Sequence, residues 1–344
     1  MKALGIEFAP LNVPLRRRLQ TLSIGFTTSL MTVLPMSSWL IMFCLILFSP
    51  FWLLAVLYLI WIWVFDKEVC EKGGRRIEWV RRWKIWKYSK EYFPINIIKD
   101  SKKVELDRKR NYLFCSFPHG LVATGAGIAF GNSHSTFQEL FPEHTPHILT
   151  LRQNFLMPIF REYLLSVGAC AASAKSINFL MSKPEGGNVA LLVVGGAAES
   201  FYCKPGQYHL VLKNRKGFVK LALKNGSPLV PVFSFGETDI YDQVSNPEGS
   251  LLRRYQEWVK KITGIVPIIP LGRGFFQYSF GLLPQRKPIN VIVGTPIDVE
   301  KVEDPTQEQI DSLHATFIKH LTDLFEEHKH KYLEKPEETF LVID

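Results

Sequence analysis

The sequence predicts an α/β domain, a buried sheet flanked by helices, carried behind an N-terminal hydrophobic helical hairpin. Two observations predict this architecture. No Asp, Glu, Lys or Arg occurs between Arg18 and Asp66, a gap of 47 residues. From about residue 108 onward, short apolar runs alternate with helical segments, the pattern of a covered sheet. The chain divides into an amino-terminal segment 1–18, the hairpin 19–66, a basic, Trp-rich interfacial segment 67–107 and the main domain 108–344. With 344 residues, 47% of them apolar, it can bury a sizeable core.

Taken in order, the uncharged stretch comes first. A bilayer core about 30 Å thick needs about 20 helical residues, so the stretch suffices for two passes with little to spare. Pro35 and Ser49-Pro50 punctuate it, predicting a first helix to roughly Phe48, bent near Pro35, and a short second helix from about Phe51 to Phe65. Arg16, Arg17 and Arg18 precede the stretch, and Lys72, Arg75, Arg76, Arg81 and Arg82 follow it, which places both flanks in the cytosol. It is too long for a cleavable signal peptide. The alternative, one buried hairpin in a soluble protein, is disfavoured because long uncharged runs are costly to expose. In the next segment Trp79, Trp83 and Trp86 recur at helical spacing, predicting one indole face directed at the lipid interface or at the protein's own domain.

In the main domain, 111–116, 189–194, 228–234 and 289–293 read as strands. Helices are predicted near 120–130, 154–166, 175–182, 216–224, 249–262 and 307–329. The last is the clearest: Asp304 can cap it, Pro305 suits its first position, Gln307 its third, and Ile310, Leu313, Phe317, Leu321 and Leu324 form one apolar stripe.

Composition narrows the partners. The balance of 41 Lys+Arg against 32 Asp+Glu gives +9, suited to a membrane surface, a phosphorylated ligand or a nucleic acid. Nucleic acid is the weakest of these, because the chain has no zinc-finger spacing, RNA-recognition signature or uninterrupted basic arm. Cys44, Cys70, Cys115, Cys170 and Cys203 are odd in number and form no CxxC pair, as expected of a reduced, cytosol-facing chain. Asn225-Gly226-Ser227 matches a glycosylation sequon that such a location leaves unused.

The sequence contains no G-x-S-x-G elbow, Walker A loop, H-E-x-x-H pair or strand-linked G-x-G-x-x-G. What remains is Phe117-Pro118-His119-Gly120 at the predicted end of a strand, where α/β sheets place functional side chains. An imidazole there can accept a proton near neutral pH, although a lone His is more often structural. Gly195-Gly196-Ala197-Ala198-Glu199 follows another apolar strand; its glycines allow close backbone approach or simply a tight turn, and Glu199 can orient an imidazole by accepting its second N–H. Lys213-Asn214-Arg215-Lys216-Gly217-Phe218 can hold phosphates or form a solvated charged face.

Together these segments resemble the type 2 diacylglycerol acyltransferase family, which includes monoacylglycerol and wax-alcohol acyltransferases. Tyr92-Phe93-Pro94 matches the family's YFP, Pro118-His119-Gly120 its HPHG block, and Gly195 to Ser200 its GGAxE block. Arg215 to Ala222, Val230 to Glu237 and Gly272-Arg273-Gly274 resemble its RxGFxxxA, VPxxxFGE and GRG blocks. The resemblance spans nearly the whole chain. It implies an endoplasmic reticulum membrane enzyme with both ends cytosolic, acyl-CoA as donor substrate, diacylglycerol or a related neutral-lipid acceptor, and delivery of product to lipid droplets. It also implies His119 as catalytic base with Glu199 as its partner, and Pro118, Gly120, Gly195, Gly196, Arg215, Lys216, Gly217, Phe218, Glu237 and Arg273 as substrate-binding positions. No metal or cofactor is expected, and a second copy of the chain is a possible partner. Phe117 departs from the family's usual His; a His placed there is expected to preserve or modestly raise activity by donating to the oxyanion, unless Phe117 packs an acyl channel. The different-class alternative is a catalytically silent relative that binds neutral lipid.

Overall fold

The computed structural model describes residues 2–3, 5–10, 12–101 and 104–344. The uncharged stretch begins with helix α1, Leu15–Phe48, which contains Pro35 and is long and apolar enough to cross a membrane. At 34 residues it measures about 50 Å, well beyond a bilayer core. Phe26, Trp39, Phe43 and Leu47 along it are exposed. A turn at Ser49-Pro50 leads to α2, Trp52–Ile60, extended by a π-helical turn over Trp61–Phe65. These two pieces together span about 21 Å, short of a full crossing.

The hairpin is fastened to the domain by a buried charge network. Asp66, at its end, pairs with Arg161 at 2.8 Å and Arg75 at 2.5 Å, and Arg75 also reaches Glu162 at 3.1 Å. Arg161 is 1% exposed, so its charge depends on these partners. At the other end Arg16 and Gln20 both donate to Glu91, while Arg286 donates to Gln20 at 2.6 Å.

The tryptophan segment departs from expectation. Helix breaks at Arg82: a single turn covers Glu78–Arg81, and α3 starts anew at Lys84–Tyr92. Trp79 is consequently exposed while Trp86 is buried, donating its indole N–H to the Val80 carbonyl and stacking near Tyr163. The three indoles therefore share no common face. The break keeps Arg81 inside, where its guanidinium caps the Gly131 and Val167 carbonyls.

Seven strands form the central sheet: β1 Asn96–Lys99, β2 Tyr112–Phe117, β3 Thr145–Thr150, β4 Cys170–Ala171, β5 Asn188–Val193, β6 Leu229–Phe235 and β7 Asn290–Val293. Their spatial order is β1-β7-β6-β2-β5-β3-β4. Five of them, from β6 to β4, run parallel; β7 is antiparallel to β6, and β1 is parallel to β7. The four predicted strands all occur, and β1, β3 and β4 add to them. Leu113, Phe114, Cys115 and Phe117 of β2 are all fully buried, as expected of a central strand covered on both faces.

The further helices are α4 Thr124–Phe130, α5 Phe160–Ser166, α6 Ala174–Met181, α7 Gly217–Asn225, α8 Leu251–Thr263 and α9 Gln307–Tyr332. Helix α9 lays Ile310, Phe317, Leu321, Leu324 and Phe325 against the sheet. Its cap is Thr306, not Asp304: the Thr306 hydroxyl accepts from the Gln309 N–H and the Gln309 side chain accepts from the Thr306 N–H. This reciprocal pair satisfies two helix-end donors at once, which a lone aspartate two residues earlier cannot do. Helix α8 is capped by Ser250 and has Leu251, Tyr255, Trp258 and Ile262, spaced at helical intervals, on its exposed outer face. The loop behind it bears exposed Phe275, whose ring lies so close to Gly25 of α1 that a Cβ there would overlap it.

Candidate active site

Chain order reverses around β2: the connection from β2 leads past β5 to β3, while that from β5 crosses back over β2 to β6. In open α/β sheets the crevice at such a point, beyond the carboxyl ends of the strands, is where ligands bind. Three of the singled-out motifs fall there. Pro118-His119-Gly120 follows β2, Gly195-Gly196 with Glu199 follows β5, and Gly236-Glu237 follows β6. Adjacent parallel strands thus deliver segments that are up to 119 residues apart in sequence.

His119 is only partly covered. Its Nδ1 lies 3.2 Å from the Gly120 carbonyl oxygen and 3.2 Å from the Ser200 hydroxyl. A carbonyl can only accept, so in the neutral ring the proton resides on Nδ1 and the lone pair on Nε2. Nε2 has no protein partner among the described residues. The Ser200 hydroxyl in turn donates to the Gly120 carbonyl at 3.1 Å. Burial lowers the His119 pKa below its usual 6.5, against the Gly120 carbonyl, which raises it. The ring is therefore neutral at pH 7, the form that can take a proton.

Glu199 does not meet the imidazole as expected. Its Oε2 accepts the His119 backbone N–H at 2.7 Å and its Oε1 accepts the Val211 N–H at 2.9 Å. It thus fixes the main chain on which the histidine stands, while Ser200 and Gly120 fix the ring. The carboxyl is fully buried in the 3₁₀ turn Gly196–Tyr202, and burial pushes its pKa up to about 7, against the two N–H bonds and Arg215, which lower it. Gly195 is required by this fold-back: a Cβ there would sit 1.9 Å from the Glu199 carboxyl carbon. The Val211 end is steadied by strand Tyr208–Leu210, which pairs with Leu341–Ile343, and by the Asp344 carbonyl, which accepts from both Leu212 and Lys213 at 2.7 Å.

Glu237 likewise holds main chain in place. Its two oxygens accept the Thr124 and Gly125 N–H groups at 2.7 and 2.6 Å, capping α4. Burial pushes its carboxyl up to about 8, opposed by those two bonds. Gly120, at φ 59°, abuts the same side chain, and a Cβ on it would come within 2.7 Å. The Phe117–Pro118 peptide is cis, and Gly196 adopts φ 58°.

The remaining expected positions scatter. Arg215 is exposed, Lys216 pairs with Asp311 at 2.7 Å, and Gly217 opens α7. Phe218, expected among the substrate contacts, is instead core: its ring meets Phe317 edge-on at 5.1 Å. Phe117 belongs to the same core, fully buried and 6.2 Å from the Phe317 ring. Arg273 is buried near Tyr92, its guanidinium over the Tyr278 ring and its Nε donating to the Gly274 carbonyl. The one grouping with metal-ligand spacing among the described residues, Asp100, Glu327 and His328, follows β1 at the opposite end of the sheet. Ser200, next to Glu199, is the residue that motif reading passed over.

Comparison with known sequences identifies the family. The profile of the family described as Diacylglycerol acyltransferase matches residues 44–344. The chain is 48% identical to bovine 2-acylglycerol O-acyltransferase 1 over 95% of its own length and 96% of that protein. It is 44% identical to diacylglycerol O-acyltransferase 2 of Dictyostelium discoideum, covering 96% and 97%. Against human acyl-CoA wax alcohol acyltransferase 2 the identity is 43%, covering 84% and 85%. The chain belongs to the diacylglycerol acyltransferase family and is an acyltransferase.

Proposed function

We propose that this enzyme transfers a fatty acyl group from acyl-CoA to the free hydroxyl of diacylglycerol, giving triacylglycerol, with His119 as general base. One observation supports it above the others: His119 stands at a strand end with Nδ1 held by a carbonyl and Nε2 open. Nε2 takes the proton of the acceptor hydroxyl as its oxygen attacks the thioester carbon. When the tetrahedral intermediate collapses, the C–S bond breaks and the proton passes from Nε2 to the CoA sulfur, so the ring ends as it began. The reaction needs no outside oxidant or reductant.

A second reading has 2-monoacylglycerol as acceptor, favoured by the 48% identity to the bovine 2-acylglycerol enzyme. Microsomes expressing the chain, supplied with labelled acyl-CoA and diacylglycerol, 2-monoacylglycerol or fatty alcohol, separate these readings by the labelled ester formed. His119→Ala should lower the rate by about 10²–10⁴-fold while the protein still inserts. Turnover on no acceptor, or an unaffected His119→Ala variant, would overturn the assignment.

The same reading puts the protein in the endoplasmic reticulum membrane with its domain in the cytosol, from which product reaches lipid droplets. The apolar α1 and its basic flank of Arg16, Arg17 and Arg18 support this orientation. Tags at the two ends should both react with antibody after selective permeabilisation of the plasma membrane.

A further inference from the structure

Between the inner face of α8 and the Gly196–Tyr202 turn lies a cavity of about 460 Å³, within the usual size range of small-molecule sites. Its wall on the turn side includes Ala198, Phe201 and Tyr202; its wall on the helix side includes Arg253, Lys260 and Lys261. Three cations face one acid, Glu257, and that acid is already paired with Arg253 at 2.8 Å. Neither lysine has a carboxylate within ion-pair distance among the described residues. The Arg253 side chain is largely buried, its guanidinium 3.8 Å above the Phe201 ring and within hydrogen-bond reach of the Tyr202 hydroxyl. Lys260 lies over the same ring at 5.2 Å. Its pKa is lowered by burial, and the nearby charges of Arg215 and Arg253 add to the lowering. Three cations with a single acid between them, two of the cations set over the Phe201 ring, leave a net positive lining that suits an anion.

We propose that this cavity takes the phosphate-bearing head of acyl-CoA, with Lys260, Lys261 and Arg253 as its ligands and Arg215 adding charge at the rim. The inference rests on the acyl-CoA reading above. Its position favours CoA over an anionic lipid headgroup, the other source of the same chemistry. The turn that forms the floor carries Ser200, bonded to the His119 ring, and Glu199, bonded to its backbone. Val211, whose N–H completes the Glu199 pair, also lines the cavity. The phosphates of CoA are separated from its thioester by the pantetheine arm, so a phosphate site should adjoin the turn that holds the base without including the base itself. This cavity does so.

The test uses the full-length protein in vesicles and the double variant Lys260→Ala/Lys261→Ala, which spares the buried Arg253. The KM for acyl-CoA should rise about tenfold, the loss expected for one or two partly screened charge-assisted contacts, with a smaller change in kcat. With acyl-pantetheine, a donor lacking the adenosine phosphates, the variant's penalty should vanish, and Lys260→Arg/Lys261→Arg should restore the acyl-CoA KM. An equal penalty on both donors would overturn the proposal. So would a penalty that follows the fraction of anionic lipid in the vesicles and ignores the donor, because the cavity would then hold a lipid headgroup. Equilibrium binding of labelled CoA to the detergent-solubilised protein separates this inference from the reaction assignment. Even if no acceptor is acylated, weaker binding in the double variant supports the site, and unchanged binding removes it.

Discussion

Glu199→Gln tests the distinction between holding a ring and holding a backbone. The substitution keeps shape and one acceptor oxygen, but its NH₂ must face either the His119 or the Val211 N–H, now donor against donor. One buried backbone N–H is left unsatisfied, at a cost of about 1–3 kcal/mol. If that cost falls on the position of His119, the rate drops roughly 5- to 150-fold. The pH profile carries the sharper signature. In the wild type the carboxylate accepts both bonds, and it protonates as the pH falls through about 7, so kcat/KM should lose its plateau near that value. His119, its pKa lowered by burial, loses its base function only further down, below its ordinary 6.5. The Gln variant cannot titrate, so its rate should be lower throughout yet flat through pH 7, falling only at the histidine limb. Assays of initial rate across pH 5–9 in vesicles would measure this. A variant that keeps the limb near 7 would refute the reasoning, as would one whose histidine limb moves by more than about one unit, because a carboxylate bonded to the ring itself shifts the imidazole by that much.

Ser200→Ala removes one of the two Nδ1 contacts, so kcat should fall about 3- to 10-fold with the KM for acyl-CoA unchanged; an equal rise in KM would make it a binding residue. Gly195→Ala should nearly abolish turnover despite adding a single carbon, since that carbon displaces Glu199; wild-type rates would mean the fold-back is dispensable. Phe117→His should not raise activity. It buries an imidazole beside Phe317 in place of a well-packed ring, and thermal unfolding should report a loss of about 2–3 kcal/mol. An unchanged melting temperature with higher turnover would restore the oxyanion role expected from sequence.

Much of this arrangement was legible in the chain because function sits where apolar runs end. Runs such as Leu113 to Phe117 and Val189 to Val193 mark buried parallel strands, and the residues after them are at the sheet's carboxyl edge by topology alone. Strand β3 escaped detection because Pro146 and His147 interrupt it; β4 pairs only with Leu149 and Thr150, so at Pro146 the strand has a free edge where the missing N–H costs little. Strand β1, four residues at the sheet margin, has no run long enough to see. In the site, Glu199 was visible as an acid after an apolar strand that could orient an imidazole, but which hydrogen it accepts depends on how the 3₁₀ turn folds back over Gly195. Ser200 was hidden for the same reason. Phe218 was misassigned because its motif neighbours are charged, whereas its side chain points the other way from the α7 terminus, into the core.

Helix α8 bears on how the protein can be handled. With Leu251, Tyr255, Trp258 and Ile262 on one side and Arg253, Lys260 and Lys261 on the other, neither water nor hydrocarbon alone satisfies it. A boundary between the two would satisfy it without help from α1. Deleting residues 1–48 therefore does not produce a water-soluble enzyme. The shortened protein would keep the greasy flank of α8 and, having lost Gly25, would uncover the Phe275 ring as well. Alkaline carbonate washing, which strips peripheral proteins from membranes, would distinguish the two attachments: the intact chain stays with the pellet, and the shortened one is released but requires detergent to remain dispersed.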